Sequence, residues 1–200
     1  MENGQNNKDM KSASLDLYSL YINKCETPSD IHELLPILRK YAERCDHITE
    51  MGVRYVVSTY ALMMGMPQRL ISYDIVSIEK FGVSIQELKY LAAENDIDYD
   101  FIVADTLNLE IDETDFLFID TWHVYPQLKK ELELHAGKVR KYIAFHDTET
   151  FEYNGEDEGY VGLWPAIEEF LNENKDWVIS ERFAHCNGLT VLKKRDLVTH

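Results

Sequence analysis

Five segments of this chain end in acidic residues whose neighbours could do chemistry. They are Glu50-Met51-Gly52-Val53-Arg54, Asp74, Ala104-Asp105-Thr106, Asp120-Thr121-Trp122-His123 and His146-Asp147-Thr148. Asp120 and Asp147 form the kind of carboxylate pair that, with waters, holds a hard oxygen-seeking cation such as Mg²⁺. A bound dication orients substrate hydroxyls and lowers the pKa of one of them. His146 as a third ligand shifts the preference to Mn²⁺, Fe²⁺ or Zn²⁺. The other reading of His146 is a strand-end histidine bonded to a backbone carbonyl. Without a cation, two such like charges repel, so one of the two aspartates should titrate abnormally high. His123, three residues past Asp120, is a candidate proton acceptor because imidazole titrates near neutrality. Its alternative is a helix-entry residue. Gly52 would let the backbone approach a ligand, and Ser58 reads as a helix N-cap. Asp74 lies 22 residues after Gly52, near the offset at which an acid binds a ribose hydroxyl pair. A solvated strand-end acid is equally compatible with that spacing. The G-x-G-x-x-G pyrophosphate fingerprint is absent, which argues against a nicotinamide or flavin dinucleotide.

These groups need a scaffold that brings strand ends together. Apolar runs predict strands at 47–51, 70–74, 99–104, 116–120 and 139–146. Helical periodicity falls at 58–66, 84–95, 125–136 and 164–172, with an N-terminal helix at about 30–44. Strands alternating with helices of about ten residues imply βαβ units and a parallel sheet covered on both faces. A closing pair at 177–183 and 189–193, around Asn187-Gly188, predicts an antiparallel C-terminal hairpin. The expected architecture is a Rossmann-like three-layer sandwich with a seven-stranded, mostly parallel sheet. Residues 1–29 read as a polar extension, its first dozen residues loose, and 30–200 as one domain. Ligands of such sheets bind outside the carboxyl ends of the strands. The Gly- and acid-rich loop 149–162 is long for a strand-to-helix connection and is a candidate lid over that rim.

Composition narrows the partners. The 200 residues carry 20 Lys plus Arg against 36 Asp plus Glu, a net charge of −16. The basic residues form no long stripe, so nucleic acid and anionic membranes are excluded as expected partners. No apolar run reaches the roughly 20 residues of a membrane span. Three cysteines without metal-like spacing suggest free thiols in a reducing compartment, hence a cytoplasmic protein. The N-terminus lacks the apolar core of a secretory signal.

The string Glu50-Met51-Gly52-Val53-Arg54-Tyr55-Val56-Val57-Ser58-Thr59 resembles motif I of class I S-adenosylmethionine-dependent methyltransferases. Phe118-Ile119-Asp120-Thr121-Trp122-His123-Val124-Tyr125 and Phe145-His146-Asp147-Thr148 are similar to strand ends of a narrower branch. That branch contains cephalosporin hydroxylase-like, macrocin-type and rhamnosyl O-methyltransferases. The resemblance spans about residues 30–194 and implies S-adenosylmethionine as cofactor. It would set Glu50 and Gly52 by the methionine part, Asp74 on the ribose hydroxyls and Asp105 by the adenine amino group. Ser58 opens the helix beside that loop. Asp120, His146 and Asp147 match the positions at which metal-dependent relatives bind a divalent cation. The family usually has a second glycine where this chain has Val56, and a β-branched side chain there is expected to crowd the cofactor loop. The implied activity is methyl transfer to a hydroxyl of a small polar acceptor, a sugar or secondary metabolite, with divalent-metal assistance. The rival expectations are a metal-dependent hydroxylase or hydrolase on the same scaffold, and a non-catalytic binding protein. Self-association as a homo-oligomer is left open.

Overall fold

The computed structural model describes residues 16–195; the expectation for the first dozen residues lies outside them. Seven strands form one sheet in the order β3-β2-β1-β4-β5-β7-β6. They are β1 (His47–Met51), β2 (Arg69–Asp74), β3 (Asp98–Val103), β4 (Thr114–Ile119), β5 (Val139–His146), β6 (Trp177–Phe183) and β7 (Leu189–Lys194). β1 to β5 are parallel neighbours, whereas β7 runs antiparallel to both β5 and β6. The expected Rossmann-like sheet with a reversed C-terminal hairpin is present.

The period-2 alternation of a strand sorts its side chains to the two sheet faces. In β4, Phe116 and Phe118 enter the core shared with helices α1 (Leu17–Glu26), α2 (Leu35–Ala42), α3 (Val57–Met63) and α4 (Ile85–Ala93). Leu117 and Ile119 enter the opposite core, with α5 (Tyr125–His135) and α6 (Trp164–Glu173). All six β4 residues are buried, as a strand covered on both faces requires. Among the described residues, no helix is long and apolar enough to cross a membrane.

Two local expectations are corrected. Residues 17–26, read as part of a polar extension, form α1, which buries Leu17 and Tyr21 in the core and caps its N-terminus with Asp16. The helix expected at 30–44 is split into a 3₁₀ turn, His32–Leu34, and α2. Pro36 stands in the first turn of α2, where its missing N–H costs nothing, though deeper in one continuous helix it would break the ladder.

The loop after β1 departs from expectation at Val56. This residue, not Ser58, is the N-cap of α3, and it sits in the left-handed region at φ 60° and ψ 33°. Its side chain is fully buried in the core rather than crowding the cavity described below. The position favours glycine in conformation but valine in packing. Glycine would relieve about 1–2 kcal/mol of backbone strain and forfeit about 1.5–3 kcal/mol of apolar burial. Val56→Gly should therefore lower stability in urea unfolding by roughly 1 kcal/mol, leaving ligand affinity at the strand ends unchanged. A tighter-binding variant would contradict this packing account.

Candidate functional site

The carboxyl ends of β1 to β4 open into a cavity of about 840 Å³, reached also by Asp147 after β5. Its size suits a cofactor-sized ligand. Of the residues singled out from sequence, Gly52, Ser58, Asp74, Asp105, Asp120, His123 and Asp147 all line it. Glu50 and His146 do not; they lie fully or almost fully buried behind the wall.

Gly52 is required by the sheet itself. At φ 85°, a Cβ there would lie 1.9 Å from the backbone oxygen of Asp120. This close approach is locked by two backbone bonds, Gly52 N to Tyr73 O at 2.9 Å and Asp120 N to Met51 O at 2.8 Å. The ends of β1, β2 and β4 are thus drawn together at one point.

Glu50 is buried beneath that point, where it was expected to face a ligand. It accepts hydrogen bonds from Ser58 Oγ (2.6 Å), Thr59 Oγ1 (2.8 Å) and Ser72 Oγ (2.6 Å). Burial pushes its carboxyl up to about 7, although the three hydroxyls pull the other way. Ser58 accordingly spends its hydroxyl on Glu50 rather than on capping the helix.

Asp74 holds the loop above it. Oδ2 accepts from the backbone N–H groups of Val53 (2.9 Å) and Arg54 (3.0 Å), and Oδ1 from Val76 N (2.8 Å). Asp105 caps a 3₁₀ turn, accepting from Leu107 N at 2.9 Å and Asn108 Nδ2 at 2.6 Å. Sequence reasoning missed the residue that fixes this wall from behind. Glu131 of α5, fully buried, accepts from Thr106 Oγ1 (2.6 Å), Thr121 Oγ1 (2.9 Å) and Gln127 Nε2 (2.9 Å). The three partners line the cavity, so one carboxylate ties the β3 and β4 exits together. The spacing Gln127-x-x-x-Glu131 on one helical face was the available signal.

Asp120, His123, His146 and Asp147 meet at the rim. His123 Nε2 lies 3.2 Å from Asp120 Oδ1 and 2.9 Å from Asp147 Oδ2, and its Nδ1 lies 2.9 Å from Glu156 Oε2. His146 Nδ1 faces the same two aspartate oxygens at 3.3 and 3.4 Å. Its Nε2 faces the backbone oxygens of Asp30 (3.2 Å) and Cys186 (3.0 Å). The backbone-carbonyl reading of His146 thus holds for Nε2, while Nδ1 faces the two carboxylates. Each ring nitrogen of both histidines meets only acceptors, so each ring donates twice. Burial alone would lower both pKa values, yet the Asp120 and Asp147 carboxylates outweigh it, raising His123 to about 10 and His146 to about 11.

The expectation that one aspartate titrates high is also overturned. Burial works to raise both, but the two imidazolium charges hold Asp120 below, and Asp147 well below, the usual carboxylate range. Asp147 nevertheless keeps Oδ1 buried with no hydrogen-bond partner, and its backbone is in the left-handed region at φ 60°. Ligand atoms of Asp120, His146 and Asp147 lie within 4.8 Å of one another. A cation fits this set. The orphaned Oδ1 is an open donor, and with His146 Nε2–H held on its two carbonyls, Nδ1 would ligate once a cation displaces its proton.

No protein-family model matches the chain, and no curated protein does. Solved structures do resemble it. An O-methyltransferase from Bacillus cereus in complex with SAH is 15% identical, with 90% of each chain covered and a TM-score of 0.59. TomG, an O-methyltransferase from Streptomyces achromogenes involved in tomaymycin synthesis and solved with SAM, is 13% identical. It covers 90% of this chain and 96% of its own, with a TM-score of 0.62. An SAH-bound methyltransferase from Podospora anserina is 15% identical, with 90% and 88% covered and a TM-score of 0.56. At such identities the likeness is one of architecture: the chain has the Rossmann-like fold seen in these methyltransferases.

Proposed function

We propose that the chain is an S-adenosylmethionine-dependent O-methyltransferase acting on a hydroxyl of a small polar acceptor, with a divalent cation at Asp120, His146 and Asp147. The observation that carries this reading is the single cavity into which Gly52, Asp74, Asp105, Asp120 and Asp147 converge, in a fold whose solved examples hold SAM or SAH. S-adenosylmethionine supplies an activated methyl group when bound. Asp74 and Asp105 hold its ribose and adenine ends, and the Gly52 loop its methionine end. A cation, when bound, polarises the acceptor hydroxyl.

The remaining work is done by the chain. Asp120 and Asp147 fix the charge of the rim, and His146 is anchored by the carbonyls of Asp30 and Cys186. Trp122, packed edge-on to Tyr160 at 5.0 Å, and Glu156 border the acceptor's entry. Catalysis of this kind rests mainly on positioning. The acidic lining disfavours phosphate-rich acceptors, so a sugar or secondary-metabolite hydroxyl is the acceptor class, as the branch resemblance implies.

Titration calorimetry with S-adenosylmethionine tests the reading. The wild type should bind, and Asp74→Ala should bind about tenfold to a hundredfold more weakly. That variant loses the ribose acceptor and frees the Val53 and Arg54 amides it holds. A wild type that binds no S-adenosylmethionine would end the proposal; unchanged affinity in the variant would remove Asp74 from the site.

A further inference from the structure

We infer that the Arg54 guanidinium receives the carboxylate at the methionine end of S-adenosylmethionine, because the backbone of this loop has its amides turned elsewhere. The inference rests on the S-adenosylmethionine reading above and concerns a residue to which that reading gives no role. A loop that cradles an anion does so with free N–H groups. Four N–H groups of the connection after β1 are already committed. Gly52 N donates to Tyr73 O and Val56 N to Val53 O, both at 2.9 Å. Val53 N and Arg54 N donate to Asp74 Oδ2 at 2.9 and 3.0 Å. The anion those two amides serve is therefore a side chain of the protein itself. The hydroxyls of Ser58 and Thr59, at the start of α3, donate to Glu50. A side chain has to meet the ligand's carboxylate.

Charge singles out which one. Asp30, Asp74, Asp105, Asp120, Asp147 and Glu156 line the cavity, and among the described residues Arg54 is its one lysine or arginine. A carboxylate entering among six acidic side chains is repelled unless a cation stands where it comes to rest. Arg54 lies two residues past Gly52, on the loop assigned to the methionine end. The root of its side chain is pinned, with φ at 48° and the amide held by Asp74. Its exposed guanidinium lies 5.4 Å from the centre of the Tyr55 ring, and no ion pair holds it among the described residues. Tyr55 in turn packs edge-on against Phe81 at 5.0 Å, and both rings line the cavity. An aromatic face supports the guanidinium there and leaves its N–H fork open to a bidentate carboxylate.

The experiment is calorimetric titration of the full chain with S-adenosylmethionine and with its decarboxylated form, which lacks only the carboxylate. Wild type, Arg54→Gln and Arg54→Lys are compared, with equal urea midpoints as the check that all three fold alike. The wild type should bind S-adenosylmethionine about tenfold to a hundredfold more tightly than the decarboxylated form, the range of a charge-assisted hydrogen-bonded pair. Arg54→Gln should lose most of that difference by weakening S-adenosylmethionine binding, with the decarboxylated form bound no more weakly than before. Arg54→Lys, which keeps the charge without the fork, should fall between the two. Unchanged S-adenosylmethionine affinity in Arg54→Gln would overturn the inference, and so would an equal loss for both ligands. A wild type that binds the two ligands alike would overturn it too, while leaving the cofactor reading in place. A wild type that binds neither ends the methyltransferase reading and this inference with it.

Discussion

Replacing Gly52 by alanine is expected to destabilise the protein by roughly 2–5 kcal/mol, a sum of left-handed backbone strain and overpacking against a neighbouring strand. The new Cβ would fall 1.9 Å from the Asp120 oxygen and 2.6 Å from its carbonyl carbon. Both are backbone atoms in the middle of the sheet, so no side chain can swing aside. Relief requires the ends of β1 and β4 to separate, which moves Asp120 and Thr121 at the cavity wall. Urea unfolding should show a shifted midpoint, and S-adenosylmethionine binding should be lost even below the unfolding transition. An unshifted midpoint would mean that the β1–β4 junction is far more pliant than its hydrogen bonds indicate. Stability of about 5–15 kcal/mol is usual for a domain, so this single methyl group removes a large fraction of it.

The second large effect depends on pH. Glu50, raised to about 7 from an ordinary value of 4.5, keeps its proton in the folded state where the unfolded chain has already lost it. An acid raised in this way favours folding most below pH 4.5, and its contribution drains away as pH climbs to about 7. The loss amounts to roughly 3 kcal/mol at 1.36 kcal/mol per pKa unit. Glu50→Gln removes the ionisation while keeping one acceptor oxygen in the pocket, its Nε2 donating to a hydroxyl on the other side. Relative to the wild type, the variant should gain roughly 3 kcal/mol between pH 4.5 and pH 8. Urea unfolding of both proteins across that range measures it. Parallel stability curves for the two proteins would show that Glu50 is ionised in the fold and not strained by burial.

Most of the sheet was legible in the sequence because parallel strands buried on both faces leave continuous apolar runs. The ranges of β1 and β5 match the expectation at both ends, and β4 starts two residues earlier, at Thr114, and ends one earlier, at Ile119. Helix α1 was hidden because only Leu17 and Tyr21 of its ten residues are buried, too few to set a helical period in a polar stretch. That Asp120, His123, His146 and Asp147 meet was legible because strand ends converge in this topology. Their protonation was not. That Asp120 and Asp147 would each meet two imidazolium N–H groups depends on ring orientations set by Glu156, Asp30 and Cys186, which lie 33, 116 and 40 residues away from the histidines they hold. Likewise, nothing in the letters Val56 or Glu50 says which way a side chain turns once the β1 loop closes over Asp74.

One of those distant contacts bears on how the chain matures. The carbonyl of Cys186 lies in the connection between β6 and β7, and it is one of the two that orient His146. β7 itself pairs with β5 from Tyr142 to His146, so the strand carrying His146 reaches its last sheet neighbour only after β7 has been made. During synthesis β1, β2, β3 and β4 can pair first, and the ligand-facing wall around Asp74 and Asp105 can assemble with them. The rim carrying Asp147 and His146 closes last. His146 Nε2 thus depends on one segment that precedes β1 and one that follows β6, and its hydrogen bonds form only once those two segments have met.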